Sequence, residues 1–167
     1  MAFTFGKNKF GQLGIGPDIS NSLDPIEIQL QNSDDGPVEC WCGWSHSGFR
    51  TRNGIVYMWG RNDKGQLALN LNNESEKIIY YPRRIYALDS ARKIVVGSEH
   101  GIAITNNMEF VTFGWNEHGN CGTGNLLDVI DGPKLIYSQN INGEDASDVG
   151  CGYGHTLIVT SFNIGLN

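Results

Sequence analysis

Basic residues are scarce in this sequence. Lys and Arg together number 12 against 18 Asp and Glu, which gives a formal net charge of −6. The basic residues are scattered, with Arg83-Arg84 one of the few doublets. A protein that tracks a phosphate backbone concentrates cations on one surface. Direct binding to nucleic acid is therefore not expected.

Long apolar runs are also missing. No stretch approaches the roughly 20 residues that a membrane helix needs. The opening Met-Ala-Phe-Thr-Phe-Gly has no charged segment followed by an apolar core, so no secretory signal is predicted. We expect a protein without membrane contact, located in the cytoplasm and possibly also in the nucleus, where thiols stay reduced.

Glycine, by contrast, is abundant, with 22 residues. Many of them belong to a motif written three times, at 5–14, 59–68 and 113–122, with 54 residues between successive copies. The shared pattern is aromatic-G-x-N-x-x-G-[QN]-apolar-small. A fixed period of about 50 residues is typical of repeat architectures. The glycines assigned to structural repeat positions are Gly6, Gly11, Gly60, Gly65, Gly114 and Gly119.

A second motif, G-x-x-H, recurs once per period after an apolar segment. Its histidines are His46, His100 and His155. A residue that recurs at the same place in every unit is expected to serve the unit. We predict that these histidines are structural and hydrogen-bond backbone between strands or blades.

Each period predicts four short strands: after a proline, before G-x-x-H, after the histidine, and before the glycine motif. Four antiparallel strands in 40–55 residues are typical of a propeller blade. The sequence therefore predicts an all-β propeller in one repeat domain, 1–162, followed by a tail at 163–167. The predicted blades are about 25–60, 82–114, and 133–161 completed by the N-terminal strand at 2–6.

The four cysteines and four histidines resemble a metal-ligand set. However, each cysteine has an apolar counterpart in the other copies: Cys40 corresponds to Ile94, Cys42 to Val96, and Cys121 to Leu13. Cys151 likewise takes the place of Val96. Free cysteine packs as a small hydrophobe, so we predict no metal site and no cofactor.

The sequence gives no sign of catalysis. It has no G-x-S-x-G elbow and no paired carboxylates at a recognisable spacing. The least repeat-like part of any glycine motif is the trio Trp115, Glu117 and His118. Exposed aromatic and charged residues on a loop are candidates for partner contact. A merely solvated loop is the alternative.

The two motifs and their period resemble the regulator of chromosome condensation repeat family, over essentially the whole chain. That resemblance implies a β-propeller, which this family builds from seven blades. Other members act as guanine-nucleotide exchange factors on a small GTPase. An exchange factor, or a generic scaffold, is therefore the alternative function.

A narrower resemblance lies in the stretches Gly97–Gly101 and Gly114–Gly122, which look like the last repeat of the fungal α-tubulin suppressor (killer-toxin-insensitivity) branch of the family. It implies a non-enzymatic protein that binds a small zinc-ribbon protein. Through that partner it would support diphthamide biosynthesis and Elongator-dependent wobble-uridine modification of tRNA. The contact role would fall on Trp115, Glu117 and His118.

The predicted three blades are fewer than the four to eight that close a ring. Three explanations stay open at this point. Two chains join into a six-bladed ring as a homodimer, a partner covers the open blade faces, or the sequence is an incomplete gene model.

Overall fold

A computed structural model describes residues 1–30, 36–71, 76–125, 127–136 and 145–161 of the chain. The predicted tail at 163–167 lies outside these residues. Twelve strands follow in order: β1 Phe3–Lys7, β2 Asn21–Glu27, β3 Pro37–Cys42, β4 His46–Thr51, β5 Val56–Arg61, β6 Ile78–Arg84, β7 Lys93–Val96, β8 His100–Ile104, β9 Phe110–Trp115, β10 Val129–Leu135, β11 Asp145–Cys151 and β12 Thr156–Ser161.

The strands form four antiparallel sheets. Two have four strands each, in the order β3-β4-β5-β6 and β7-β8-β9-β10, and two have only two strands, β1-β2 and β11-β12. A short 3-10 turn at Tyr86–Leu88 follows β6. Within the described ranges, no helix has the length and apolarity to cross a bilayer. The all-β propeller prediction is confirmed.

Each observed four-stranded sheet begins one strand later along the chain than the corresponding predicted blade. The prediction placed each proline strand with the strands that follow it. In the structure β6 pairs with β5, which precedes it, and β10 pairs with β9. At the N-terminus β1 pairs with β2, and β12 pairs with β11. Sequence spacing defines the strands but leaves open at which edge a repeat ends.

The proline strands lie at sheet edges, as predicted. Pro82 lies inside β6 and Pro133 inside β10, and the register with the neighbouring strand shifts near each proline. A proline lacks the N–H that an inner strand must donate, so an outer edge accommodates it. Both four-stranded sheets therefore end at a strand that cannot easily be extended.

Successive sheets pack face to face through three apolar clusters. Trp41, Met58 and Phe113 belong to the cluster between the two four-stranded sheets. Ile102 and Val149 belong to the cluster between β7–β10 and β11–β12. The third cluster joins β1–β2 to β3–β6 and includes Ile28, Phe49 and Trp59. Burial of these side chains at roughly 25 cal/mol per Å² of apolar surface is the main force holding one sheet on the next.

Candidate functional site

Each glycine motif forms a loop held together by its asparagine. The side-chain oxygens of Asn8, Asn62 and Asn116 accept the backbone N–H five residues later, at 3.0, 3.1 and 3.0 Å. The residues that donate these N–H groups, Leu13, Leu67 and Cys121, are all buried. Gly6, Gly60 and Gly114 have φ of 105°, 104° and 99°, a region that favours glycine. The asparagine and the first glycine of each motif thus contribute directly to the shape of its loop.

The G-x-x-H motif forms the turn between β3 and β4, between β7 and β8, and between β11 and β12. A Cβ on Gly97 would collide with the imidazole of His100 and with the carbonyl oxygen of Gly152 in the next sheet. A Cβ on Gly43 would collide in the same way with His46, and would lie 2.8 Å from the carbonyl oxygen of Gly97. The glycine is therefore required because the histidine ring lies against it.

Two of the three repeat histidines, His46 and His100, are fully buried, and their ring nitrogens differ in their hydrogen-bond partners. Within the described residues neither ring nitrogen of His46 has a hydrogen-bond partner. Nε2 of His100 lies 3.1 Å from the hydroxyl of Thr156, a side chain of the next sheet. Burial lowers the pKa of His46 to about 3 and that of His100 to about 4. Both rings are therefore neutral packing groups near pH 7.

The glycine-motif loops and the G-x-x-H turns lie at the same end of every sheet, because His46 pairs with Gly60 and His100 pairs with Gly114. We call this end of the molecule the loop face. Side chains from consecutive repeats meet there. Trp44 N donates to Ser98 O at 3.0 Å, and the Ser98 hydroxyl donates to Tyr153 O. The inner turns of the three sheets are thus linked in a row.

The predicted trio does come together on the loop face. Trp115 Nε1 donates to the Glu117 carboxylate at 3.1 Å. The Trp115 and His118 rings make an edge contact with centroids 5.0 Å apart. Glu117 and His118 are exposed, and Trp115 is half-buried. The indole is therefore held in one orientation by its two neighbours.

Trp115 also belongs to a larger group that sequence reasoning missed. It lines a cavity of about 400 Å³ together with Phe10, Trp44, Arg61, Lys64 and Tyr153. We call these six residues the aromatic patch. Trp44 and Tyr153 are each 66 % exposed, and their rings make an edge contact at 5.8 Å. The signal that could have found them is the second position of G-x-x-H, which is aromatic in two of three copies.

Charges at the edge of the aromatic patch are arranged in pairs. Arg61 contacts Asp63 at 2.6 Å and Glu99 at 3.6 Å, and its guanidinium lies 5.2 Å from the Phe10 ring centroid. The hydrogen bond to Asp63 raises the pKa of Arg61. Although burial acts to raise the pKa of Asp63, the hydrogen bond from Arg61 holds it below its usual value. Arg61 is thus a fixed cation beside an aromatic surface.

His118 faces a different cavity. It lines a space of about 240 Å³ with Asn120, Ile136 and His155, none of which lines the aromatic patch. The trio is therefore divided between two surfaces. Trp115 lines the aromatic patch, and His118 lines the second cavity, beside the third glycine loop.

The prediction that the cysteines pack as apolar residues agrees with the structure for two of the four. Cys121 is buried and Cys151 half-buried, and burial raises the pKa of each thiol to about 11. Cys40 and Cys42, however, are exposed. Their counterparts Ile94 and Val96 pack against the preceding four-stranded sheet, whereas the described sheet before Cys40, β1–β2, has two strands. In the part of the chain that the structure describes, no cluster of three or more potential ligands could hold a metal ion.

Comparison with known proteins agrees with this geometry. The model of the Regulator of chromosome condensation (RCC1) repeat matches residues 1–49, 53–104 and 112–159. The chain belongs to this repeat family. It is 32 % identical to the secretion-regulating guanine nucleotide exchange factor of Mus musculus, over 94 % of this chain and 36 % of that protein. It is also 32 % identical to the ultraviolet-B receptor UVR8 of Arabidopsis thaliana, over 95 % of this chain and 34 % of that protein.

Among solved structures, Prp20p of Saccharomyces cerevisiae superposes with a TM-score of 0.83 at 21 % identity. That superposition covers 95 % of this chain and 40 % of Prp20p. The likeness at this identity is one of fold. The chain thus spans about a third to two-fifths of the length of these three proteins.

Proposed function

We propose that this RCC1-repeat chain binds another protein through the aromatic patch and catalyses no reaction itself. The observation that carries the proposal is the exposure of Trp44 and Tyr153 beside Trp115 and Arg61. Aromatic and arginine side chains are the types enriched at the centres of protein interfaces. Large aromatic surfaces left in water are costly unless a partner covers them.

The titratable groups of the loop face support a binding role over a catalytic one. His46 and His100 have no solvent exposure and lowered pKa values, so they are poorly placed to exchange protons with a substrate. The Arg61 guanidinium is engaged by two carboxylates. We assign the groups that remain accessible on this face, Glu117 and His118 among them, to contact with a partner.

A small GTPase is one partner that we propose. The mouse and bovine relatives are named guanine nucleotide exchange factors. The study of the Prp20p structure reports binding to Gsp1p and histones. A nucleotide-exchange activity belongs to those whole proteins, of which this chain spans only a part.

A small zinc-ribbon protein is the other partner that we propose, following the fungal α-tubulin suppressor resemblance of Gly97–Gly101 and Gly114–Gly122. In that role the chain would support diphthamide biosynthesis and Elongator-dependent tRNA modification, with Trp115, Glu117 and His118 in contact with the partner. The Trp115–Glu117 hydrogen bond and the Trp115–His118 ring contact favour a preformed contact surface here. Either partner would be met in the cytoplasm or nucleus.

The test is a pair of titrations on the purified chain, one with the zinc-ribbon protein of diphthamide synthesis and one with Gsp1p, the latter followed by nucleotide release. We expect a Kd of about 1 μM or tighter for one of them. Trp44→Ala and Trp115→Ala should each weaken that binding about tenfold or more. Tyr86→Ala is the matched control, since Tyr86 is an exposed aromatic near the opposite end of its sheet.

The two titrations separate the candidate partners. If His118→Ala weakens binding as much as Trp115→Ala, the contact surface includes the cavity that His118 lines beside the third glycine loop. If a folded chain binds neither protein, both partner assignments are overturned. If it binds one of them with no loss in the patch variants, the site assignment is overturned.

A further inference from the structure

The aromatic patch lies between two rows of loops on the loop face. The glycine-motif loops form one row, and the G-x-x-H turns form the other. The cavity of about 400 Å³ is lined from both rows, for example by Arg61 and Lys64 of the second glycine loop and by Ser98 and Glu99 of the second turn. This loop and this turn lie in the middle of their rows, with a described repeat on either side. The cavity is therefore a feature of consecutive stacked repeats.

The two carboxylates at the centre of this cavity are engaged by groups of the protein itself. Asp63 contacts the Arg61 guanidinium at 2.6 Å. Glu99 accepts hydrogen bonds from the Ser45 hydroxyl at 3.2 Å and from the side-chain amide of Gln66, and it lies 3.6 Å from Arg61. These contacts join two consecutive repeats. They leave neither carboxylate as the main charge that a partner meets.

Two lysines supply the charge that faces solvent. Lys9 is exposed, and its ammonium lies 5.3 Å from the Phe10 ring centroid. Lys64 is half-buried at the cavity wall and is close enough to Asp63 to act on the pKa of that carboxyl. Within the described ranges neither lysine forms an ion pair. Three cations against two carboxylates give this end a net positive charge, although the chain carries −6.

The opposite end of the cavity is acidic. Glu117 of the third glycine loop is exposed, and its carboxylate accepts a hydrogen bond from Trp115 Nε1 at 3.1 Å. Among the described residues it has no ion pair with a lysine or arginine. The two ends of the cavity therefore attract side chains of opposite charge.

The walls between these two ends are aromatic. Trp44 and Tyr153 are exposed beside the half-buried Trp115. The Trp44 indole N–H and the Tyr153 hydroxyl donate to no group of the described chain, so both are available to backbone carbonyls of a ligand. A space of about 400 Å³ is roughly 9 Å across, which is the length of about three residues of extended chain. One large apolar side chain and its neighbours would fill it.

Building on the proposed binding of a protein at this site, we infer that the partner presents a short extended segment with an acidic residue beside a large apolar one. The carboxylate lies next to Lys9 and Lys64, and the apolar side chain packs between Trp44 and Trp115. A single-stranded nucleic acid is not the occupant that we choose. The two lysines neutralise only about two phosphates, and Glu117 repels the next one.

The test is a titration of the purified chain with synthetic peptides of about ten residues, followed by tryptophan fluorescence. The reference peptide has one glutamate about three residues from a leucine, and it should bind with a Kd of about 100 μM or tighter. Replacing its glutamate by lysine should weaken binding about fivefold or more, because like charges then meet at Lys9 and Lys64. Each peptide is also tested with its sequence reversed, since the charges leave the chain direction open.

Variants of the protein locate the charge effect. Lys9→Gln with Lys64→Gln should abolish the preference for the glutamate peptide, and Lys64→Glu should favour the lysine peptide. Lys134→Glu is the matched control, because Lys134 is an exposed lysine of β10 that does not line the cavity. It should keep the preference of the wild type. Urea unfolding of each variant checks that the chain remains folded.

The outcomes separate the acidic segment from the proposed function. A folded wild-type chain that binds no peptide, or binds the lysine peptide as tightly as the glutamate peptide, overturns the inference. Tighter binding of a thymidine oligonucleotide of about ten residues overturns it too. If Trp44→Ala weakens binding of a partner protein but Lys9→Gln with Lys64→Gln does not, protein binding stands and the acidic segment falls. If only the glutamate peptide binds, the partner assignments fall and the chemistry of the segment stands.

Discussion

The complete sheet β7–β10 and the half sheet β11–β12 carry the same G-x-x-H motif in different surroundings. His100 is fully buried between its own sheet and the next one, whereas His155 is exposed. The glycine beside each histidine, Gly97 or Gly152, lies under the imidazole in both cases. The motif therefore fixes the inner hairpin by itself, but the outer strands and the next sheet decide whether its side chains are buried.

The largest expected difference in unfolding free energy is between two phenylalanines at the same motif position, one buried and one exposed. Phe113→Ala should lower the free energy of unfolding by about 3–5 kcal/mol, because the ring is fully buried between two sheets. Phe5→Ala, at the corresponding position of β1, should cost less than about 1 kcal/mol, since Phe5 is 66 % exposed. Urea unfolding at low protein concentration measures both. Equal costs would show that the half sheet is packed as well as the complete one.

Two glycine-to-alanine substitutions, at Gly97 and Gly152, test the same comparison, because each adds a methyl group to a crowded turn. Gly97→Ala should destabilise by about 1–3 kcal/mol, because the added methyl meets the carbonyl of Gly152 in the next sheet as well as His100. At Gly152 the three atoms nearest to an added Cβ all belong to the exposed His155 side chain, which can rotate away. We expect Gly152→Ala to cost less than half as much in thermal or urea unfolding. A reversed order would contradict the account of the G-x-x-H turn.

These differences also show how far the sequence predicts the structure. The 54-residue period is sufficient to predict the strands, the glycine loops and the role of the motif asparagines Asn8, Asn62 and Asn116, because these features depend on contacts within one repeat. It does not predict that Cys40 and Cys42 are exposed, because their burial depends on the sheet that precedes them. The aromatic patch was missed for a similar reason: Trp44, Trp115 and Tyr153 meet only after three repeats are stacked.

Acid should destabilise the protein through its buried histidines. Burial lowers the pKa of His46 to about 3, against about 6.5 in the unfolded chain. The unfolded state therefore binds more protons than the folded state between these values, and stability is lost as the pH falls below about 6.5. Going from pH 7 to pH 5, the wild type should lose about 1–2 kcal/mol more than His46→Gln. Parallel pH profiles for the two proteins would contradict neutral burial of this ring.

The smallest expected effect concerns the hydroxyls that dock the half sheets. Thr156 donates to the carbonyl of Asn120 at 2.7 Å, and Ser47 donates to that of Gln12 at 2.8 Å. Thr156→Val and Ser47→Ala should each cost about 0.5–1.5 kcal/mol in urea unfolding. Thr156→Ser keeps the hydroxyl and should stay close to wild type. A loss as large in Thr156→Ser as in Thr156→Val would assign the effect to packing instead of to the hydrogen bond.

Hydrogen exchange on the intact chain tests the central comparison most directly. We expect the amides of β8 to exchange slowly, because that strand is bonded on both sides, by β7 and β9. Strand β12 should exchange much faster, because among the described residues its ladder is formed with β11 alone. Equal protection of β8 and β12 would contradict the claim that the outer strands decide the burial of the repeat.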